Sequence, residues 1–384
     1  MKNHYYHYVL LNILSYAAIG AILPLIGQHL KSIDITGTQI GIITAMATAT
    51  AIFATTFWGK RYANSHRKKT VAAFLCIMAG VVALSLLPLK AFFIFLVGFM
   101  ILYFFQSPIM GIIDAMTIES GNFFNDIRKW GAIGFAVSTF IAGKLAYGID
   151  LKIIFPLCTF FFIFTALIIK SIDIKEKDLE IAKPAEKREK AEYRNIFKNR
   201  TLLAVVLSAF FVLGTNVANN TYFSFLYIEG GGNLSGVGTA FLLMAGSEAI
   251  FMGVSRKISG KITMEKNILI AMILSALRFL WYSTGPTSSW LLALFFLQGM
   301  VNGIILVEFI RYVHKTVNPH ELAIGIAVYY AVSNNLSTII CQLIGGLALD
   351  LGGGRLVYLF FSLYNLIGII LYMVFGLHKG KKSL

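Results

Sequence analysis

The sequence predicts an all-α membrane protein of twelve transmembrane helices arranged as two pseudo-symmetric six-helix halves, and three observations predict it. Hydrophobic residues fill 57% of the 384 positions and charged residues only 13%, which lies outside the range of soluble globular domains. The apolar residues fall in runs of about 20, the length a helix needs to cross a bilayer. Those runs divide six and six around the one long polar stretch in the chain.

In order, the predicted spans are 6–28, 37–58, 70–89, 91–118, 128–148, 153–170, 201–228, 236–256, 267–285, 289–312, 321–349 and 355–377. Each must be helical, because backbone polar groups in lipid have no water to bond and must satisfy one another within the segment. The first run lacks a small-residue cleavage site and is followed by many like it, so it reads as an anchor and not as a removed signal. The domain boundaries follow as 1–172 for the N-terminal half, 173–200 for a linker and 201–384 for the C-terminal half. Charges at helical spacing along EKREKAEYRNIF, residues 186–197, allow part of the linker to be helical or to lie on the membrane surface.

The formal net charge of +15 excludes little by itself, but its placement is informative. The loops KRYANSHRKK (60–69) and RKISGKITMEK (256–266) are short and basic, and the tail carries Lys379, Lys381 and Lys382. The opposite loops hold only Lys31, Lys90, Lys152 and Arg355. The positive-inside rule therefore puts the basic loops, the linker and both termini in the cytoplasm, in a multi-pass protein of the cytoplasmic membrane. This pattern accounts for the positive charge without nucleic acid as a partner.

Enzyme chemistry finds little support. Cys76, Cys158 and Cys341 fall singly in apolar segments, and the seven histidines lie at span edges or in loops, so neither a disulfide framework nor a metal site is expected. The glycine runs 230–232 and 352–354 read as outer turns, since no Lys-Ser follows them as in a phosphate loop. An integral-membrane lipid-modifying enzyme would need a His, Asp, Ser or Cys cluster at one interface, and none has workable spacing.

The halves also resemble each other internally. Ser138-Thr139 followed by Gly143-Lys144-Leu145-Ala146 in the fifth span parallels Ser337-Thr338 followed by Gly345-Gly346-Leu347-Ala348 in the eleventh, and each run reaches an aspartate, Asp150 or Asp350. Parallel repeats of this kind are found in transporters built from two similar halves.

Charge inside the spans marks the candidate site. An ionised group at the centre of a bilayer costs about 2.5–3.5 kcal/mol on insertion scales, so such residues face a partner or a wet cavity. Asp114 and Arg128 flank the loop between spans four and five; each reads either as a helix-end group or as a cavity residue. Glu248 and Arg278 stand about ten residues from the nearest basic loop, which is roughly half a bilayer at 1.5 Å per residue. Those two read as buried or cavity-lining. Asn216, Asn219 and Asn220 in span seven, and Asn334 and Asn335 in span eleven, form polar stripes that either glue helices together or line a ligand path. Glu308 and Arg311, one turn apart, read as a local ion pair. Phe104, Phe105, Tyr222, Phe223, Phe279 and Trp281 read as packing or lipid-facing aromatics, with a pocket as the alternative.

One run points to a family. Ser107-Pro108 with Asp114, then Arg128-x-Trp130-Gly131-x-Ile133-Gly134-Phe135, resembles the R-x-W-G-S-I-G-F signature of the oligosaccharide:proton symporter and phenylpropionate permease-like branch of the major facilitator superfamily. The opening SYAAIGAILPLIGQHLKSIDITGTQIG is similar to the start of that branch as well. The resemblance implies the major facilitator fold and a secondary transporter working by alternating access, with proton coupling and a sugar, nucleoside or phenylpropionate-like acid as solute. By similarity to the lactose permease, Asp114 and Arg128 take the positions of its binding pair, Phe135 falls near its sugar-stacking aromatic, and Glu248 and Arg278 match charged positions on helices eight and nine. Departures accompany this: Gln298 stands at the histidine position and Val301 at the nearby glutamate, while Asn216, Asn219 and Asn334 replace two aspartates and a lysine. Replacing an ion pair by Asn on both sides leaves no unpaired charge behind. Ala63 stands where the superfamily's second-to-third loop has an aspartate.

The expected site is therefore Asp114, Arg128, Phe135, Asn216, Asn219, Glu248, Arg278, Gln298 and Asn334, with Asp114 or Glu248 carrying the proton. The expected partners are a small solute, protons and the lipid bilayer, with no cofactor beyond a proton gradient and the chain acting as a monomer. A receptor or lipid scramblase that keeps the facilitator fold without coupled uptake is the alternative.

Overall fold

A computed structural model describes residues 5–120, 124–172, 196–258, 262–318 and 320–380. The central linker expected over 173–200 lies outside these residues except for its last five positions, 196–200. The described elements are helices α1 (Tyr5–Ile22), α2 (Ile26–Ser32), α3 (Gly37–Ala63), α4 (Lys68–Ser85), α5 (Phe92–Glu119), α6 (Phe124–Gly148), α7 (Ile154–Ser171), α8 (Arg200–Glu229), α9 (Leu234–Ile258), α10 (Met264–Ser283), α11 (Ser288–Leu294), α12 (Phe296–Thr316), α13 (Leu322–Tyr329) and α14 (Ser337–Val374). A π-helical turn, Tyr330–Leu336, joins α13 to α14. Eight stretches among the described residues are long and apolar enough to cross a membrane, the last running from Ile324 to Val374.

Local sequence explains the interruptions. Pro24 has no N–H and ends α1 just before the short α2. Within α14 the helix breaks at Gly352 and Gly353, where Gly353 has φ +67°, a left-handed value that a side chain would make costly. The helix starts again with its first free amide satisfied: Gly354 N donates to both carboxylate oxygens of Glu229, at 2.9 and 3.0 Å. An anion at a helix N-terminus also meets the positive end of the helix dipole. Asp350 does the same for α3, accepting from Gly37 N at 2.6 Å, Thr38 N at 2.7 Å and the Thr38 hydroxyl at 2.6 Å.

The chain forms two compact units. The first comprises Met1–Ile35, Ile42–Glu186 and Asn233–Ala245. In it α1 is the central helix, packed most extensively on α6 and α7, while α4 packs on α5 and α7. The α1–α6 crossing is close because Gly134 faces the backbone of Ile13, where an added Cβ would lie 2.8 Å from the carbonyl carbon. Two hydroxyls then bond across the crossing: Ser138 Oγ donates to Ala17 O at 2.6 Å and Thr139 Oγ1 to Gly20 O at 2.8 Å.

The second unit comprises Thr36–Gly41, Lys187–Gly232 and Gly246–Leu384. Here α8 is central and packs on α14 and the π turn, while α10 packs on α14 and α12. Ser333 Oγ donates to Val206 O at 2.7 Å, and Ser337 Oγ donates to Phe210 O, so two hydroxyls one turn apart meet two carbonyls one turn apart. The serine of the repeated Ser-Thr motif, Ser138 or Ser337, thus fastens its helix to the central one in each unit, whereas Thr338, unlike Thr139, donates along its own helix to Asn334 O at 2.6 Å. At the start of α10, before the predicted span 267–285, burial pushes the Glu265 carboxyl up, but the 2.6 Å hydrogen bond from Lys315, together with backbone and Thr263 hydrogen bonds and the Lys315 charge, outweighs that and holds it below the ordinary range.

The outside of the helices is apolar. Leu363, Leu366, Ile367, Ile370 and Val374 of α14 are exposed, whereas Asn12, Gln106, Asn219, Gln298 and Asn365 are buried. A soluble domain sorts its residues the other way, so this arrangement fits a lipid surround.

The α1–α6 contact makes a direct prediction. Gly134→Ala lowers thermal stability in detergent by about 1–3 kcal/mol, the usual cost of overpacking, while Gly111→Ala, whose added Cβ meets nothing within 4 Å, leaves it unchanged.

Candidate functional site

Two polar clusters interrupt the apolar helices, one in each unit. In the first unit Arg128, in the second turn of α6, lies with its Nε 3.2 Å from Asp114 Oδ1 on α5, and the two side chains are 36% and 26% exposed. The contact is an ion pair by distance, but Asp114 Oδ1 has no aligned hydrogen-bond donor. Arg128 is also seated on a ring: its guanidinium carbon is 4.2 Å from the Tyr16 centroid, a cation–π contact. Gly131 makes room for that ring, since a Cβ there would lie 2.6 Å from Tyr16 Cδ2. The signature run is thereby explained: its two glycines let α1 close on α6 and set Tyr16 beneath its arginine. Phe135 is half-buried and meets Phe241 edge-on at 6.4 Å.

Arg128 is held loosely. Its fork has a carboxylate on one side, a ring beneath and solvent access over about a third of its surface. Such a group can take hydroxyls or an anion in bidentate fashion without first breaking a buried network.

In the second unit Arg278 of α10 is 4% exposed and has no carboxylate partner among the described residues. Its Nη2 donates to Asn216 Oδ1 at 3.1 Å, while Nε and Nη1 have no hydrogen-bond partner. The guanidinium lies 4.4 Å from the Phe279 centroid and 5.9 Å from that of Tyr282. Asn216 is held in turn, donating to Val212 O at 2.9 Å and to Ser275 Oγ at 3.5 Å. Ser275 accepts from Asn365 Nδ2 at 2.8 Å, and Thr215 donates to Asn365 Oδ1 at 2.9 Å. Asn219 Oδ1 accepts from Tyr358 OH at 2.6 Å, leaving its Nδ2 and the Tyr282 hydroxyl unpartnered. The cluster therefore presents free donors around a buried cation. An anion or an acceptor-rich polyol would satisfy it.

The remaining expected residues are placed as follows. Glu248 is half-buried on α9 and is not a partner of Arg278. Gln298 is fully buried on α12, donating to Asn302 Oδ1 at 3.3 Å with its own carbonyl oxygen unpartnered. Asn334 lies in the π turn and donates to Asn335 Oδ1 at 3.1 Å. Asn216 and Asn219 thus prove to be part of a network, as either reading of the stripe allowed. Glu308 and Arg311 form the local pair, at 2.9 Å. Tyr222, Phe223 and Phe279 are fully buried packing residues. His29, read as a span-edge residue, is 1% exposed between Phe95 and Phe155 with both ring nitrogens unpartnered.

Sequence reasoning missed Tyr16, Ser275, Tyr358 and Asn365. The first three are too common in spans to stand out. Asn365, alone in the twelfth span, carried the same polar signal as the stripes.

The Asn216–Arg278 bond predicts a coupling. Asn216→Leu leaves the guanidinium without a hydrogen-bond acceptor and lowers thermal stability by about 1–3 kcal/mol or more; Asn216→Leu with Arg278→Leu costs less than Asn216→Leu alone, a non-additivity that a double-mutant cycle reads directly.

Comparison with known proteins agrees with these helices. The MFS_1 like family matches over residues 5–360. The maltose permease of Geobacillus stearothermophilus is 27% identical over 368 residues, covering 94% of this chain and 92% of that one. The uncharacterized transporter YwbF of Bacillus subtilis (strain 168) is 27% identical over 391 residues, covering 98% and 96%. Among solved structures, the nucleoside transporter NupG superposes with a TM-score of 0.83 at 18% identity over 97% of this chain and 99% of that one. A bacterial homolog of the human lysosomal transporter Spinster superposes with a TM-score of 0.72 at 12% identity, over 97% and 96%. These likenesses to solved structures carry the fold, and the relatives are transporters and not enzymes. The chain belongs to the MFS_1-like family and is a multi-pass membrane transporter of the major facilitator type.

Proposed function

We propose that this chain is a proton-coupled secondary transporter that moves a small sugar or nucleoside across the cytoplasmic membrane by alternating access of two six-helix halves, 1–172 and 201–384. Its twelve passages are the eight apolar stretches, with the last counted as two for its break at Gly352–Gly353, together with α6, α9 and α10. Both termini face the cytoplasm, as the basic loops require. The chain works as a monomer.

The observation that carries this reading is the loose Asp114–Arg128 pair over Tyr16. A carboxylate beside a displaceable arginine can exchange that partner for a proton when the arginine turns to a solute, and this is the link that symport needs. Glu248 is the other candidate carrier. In the C-terminal half Arg278, Asn216, Asn219, Gln298 and Asn334 supply hydrogen bonds, and Phe135 supplies an aromatic face. The names of the relatives, a maltose permease and a nucleoside transporter, support a polyhydroxy solute. A second reading, an anionic acid of the phenylpropionate kind, is favoured by the unpartnered donors of Arg278.

Proteoliposome uptake separates these. With an inwardly directed proton gradient, one of maltose, nucleosides or phenylpropionate accumulates, and an uncoupler abolishes the accumulation. Asp114→Asn with Glu248→Gln loses gradient-driven accumulation while keeping solute exchange. Full accumulation by that double variant contradicts the assignment of the carrier.

A further inference from the structure

A cavity of about 770 Å³ in the first unit, at the end of α3 and the start of α4, is not explained by solute transport. Its walls change chemistry along one helix. Phe53 and Phe57, one turn apart, are 63% and 45% exposed and stack at 6.0 Å, and Phe104 of α5 extends the stack at 6.3 and 5.8 Å. Thr56 also lines the cavity, with its hydroxyl donating back to Ile52 O at 3.1 Å. One turn further the lining becomes Lys60, Arg61 and His66.

The cavity gathers its cations without an acid. At three other helix ends a cation is matched with one: Lys68 with Glu119 at 2.8 Å, Arg311 with Glu308 at 2.9 Å and Lys315 with Glu265 at 2.6 Å. Lys60 and Arg61 have no such partner among the described residues, and no acid lines the cavity. The cavity thus offers two adjacent cations, without an acid partner among the described residues, beside exposed aromatic rings. A free phosphate would use only the first feature, and a neutral lipid only the second. Basic pockets at the end of membrane helices are suited to anionic headgroups, whose chains need an apolar wall.

We propose that this cavity is a binding site for an anionic phospholipid, with the phosphate held by Lys60 and Arg61 and an acyl chain laid along Phe57 and Phe53. The site shares no lining residue with either polar cluster and does not depend on which solute is carried.

The full-length protein is reconstituted in phosphatidylcholine nanodiscs with and without phosphatidylglycerol, and retained lipid is counted by native mass spectrometry. Wild type retains phosphatidylglycerol selectively. Lys60→Gln with Arg61→Gln lowers its apparent affinity about tenfold or more, since each cation near a membrane surface contributes about fivefold. The swap Lys60→Arg with Arg61→Lys keeps retention, which guards against a misfolded double variant. Lys198→Gln with Lys266→Gln, removing the same charge from exposed positions of the other unit, also keeps it. The proposal is overturned if wild type does not prefer phosphatidylglycerol, if both Gln pairs lose retention equally, or if inorganic phosphate displaces the lipid completely at millimolar concentration.

Discussion

Within a bilayer no water is at hand to bond a buried polar group, so every such group must find its partner in the chain or be left at a cost of several kcal/mol. This constraint organises the molecule at each level. It makes the apolar runs helical. It places Glu229 at the restart of α14 and Asp350 at the start of α3, where free amides would otherwise be exposed. It also explains how helices without a hydrophobic driving force between them stay together: hydroxyls on α6 reach carbonyls on α1, and hydroxyls on the π turn and α14 reach carbonyls on α8.

Some buried polar atoms nevertheless have no hydrogen-bond partner. Several lie outside the charged clusters, among them both ring nitrogens of His29, Asn12 Oδ1 and Gln106 Oε1, but Asp114 Oδ1, Asn219 Nδ2, Arg278 Nε and Nη1, and the Tyr282 hydroxyl belong to the two charged clusters. A protein that satisfied these atoms internally would be more stable and would have nothing to offer a polar solute. The looseness of Arg128 and the open donors of Arg278 are the same device in two forms: one cation half-paired and partly exposed, the other buried on aromatic rings.

Much of this was legible in the sequence, for reasons that can be named. Hydropathy and helix length are local properties, so the helices could be read directly, and charge in an apolar run is conspicuous, so Asp114, Arg128, Glu248 and Arg278 stand out as candidates, of which the structure puts Asp114, Arg128 and Arg278 in polar clusters. The Arg128–Phe135 run identified the family before its physical role was apparent. That role depended on Tyr16, 112 positions before Arg128, which no periodicity connects to it. Likewise the bond from Gly37 to Asp350 spans most of the chain, and the network of Ser275, Asn365 and Thr215 joins three helices. The span 321–349 read as one uniform helix, but it contains a π turn, which aims Ser333 and Ser337 at successive turns of α8. Such a turn changes the face a helix presents without changing its composition.

The central claim is that Arg128 leaves its loose contact with Asp114 to hold the solute. The most direct measurement is the calorimetric affinity of purified protein for whichever solute is transported, compared between Arg128→Lys and Lys129→Gln. Lysine keeps the charge but not the planar fork, whereas Lys129 is exposed beside Asp126 at 3.4 Å, where an ion pair contributes little. The account predicts that Arg128→Lys weakens binding by about tenfold or more, the loss of roughly one charge-assisted hydrogen bond, and that Lys129→Gln leaves binding unchanged. Equal affinities for wild type and Arg128→Lys would contradict it.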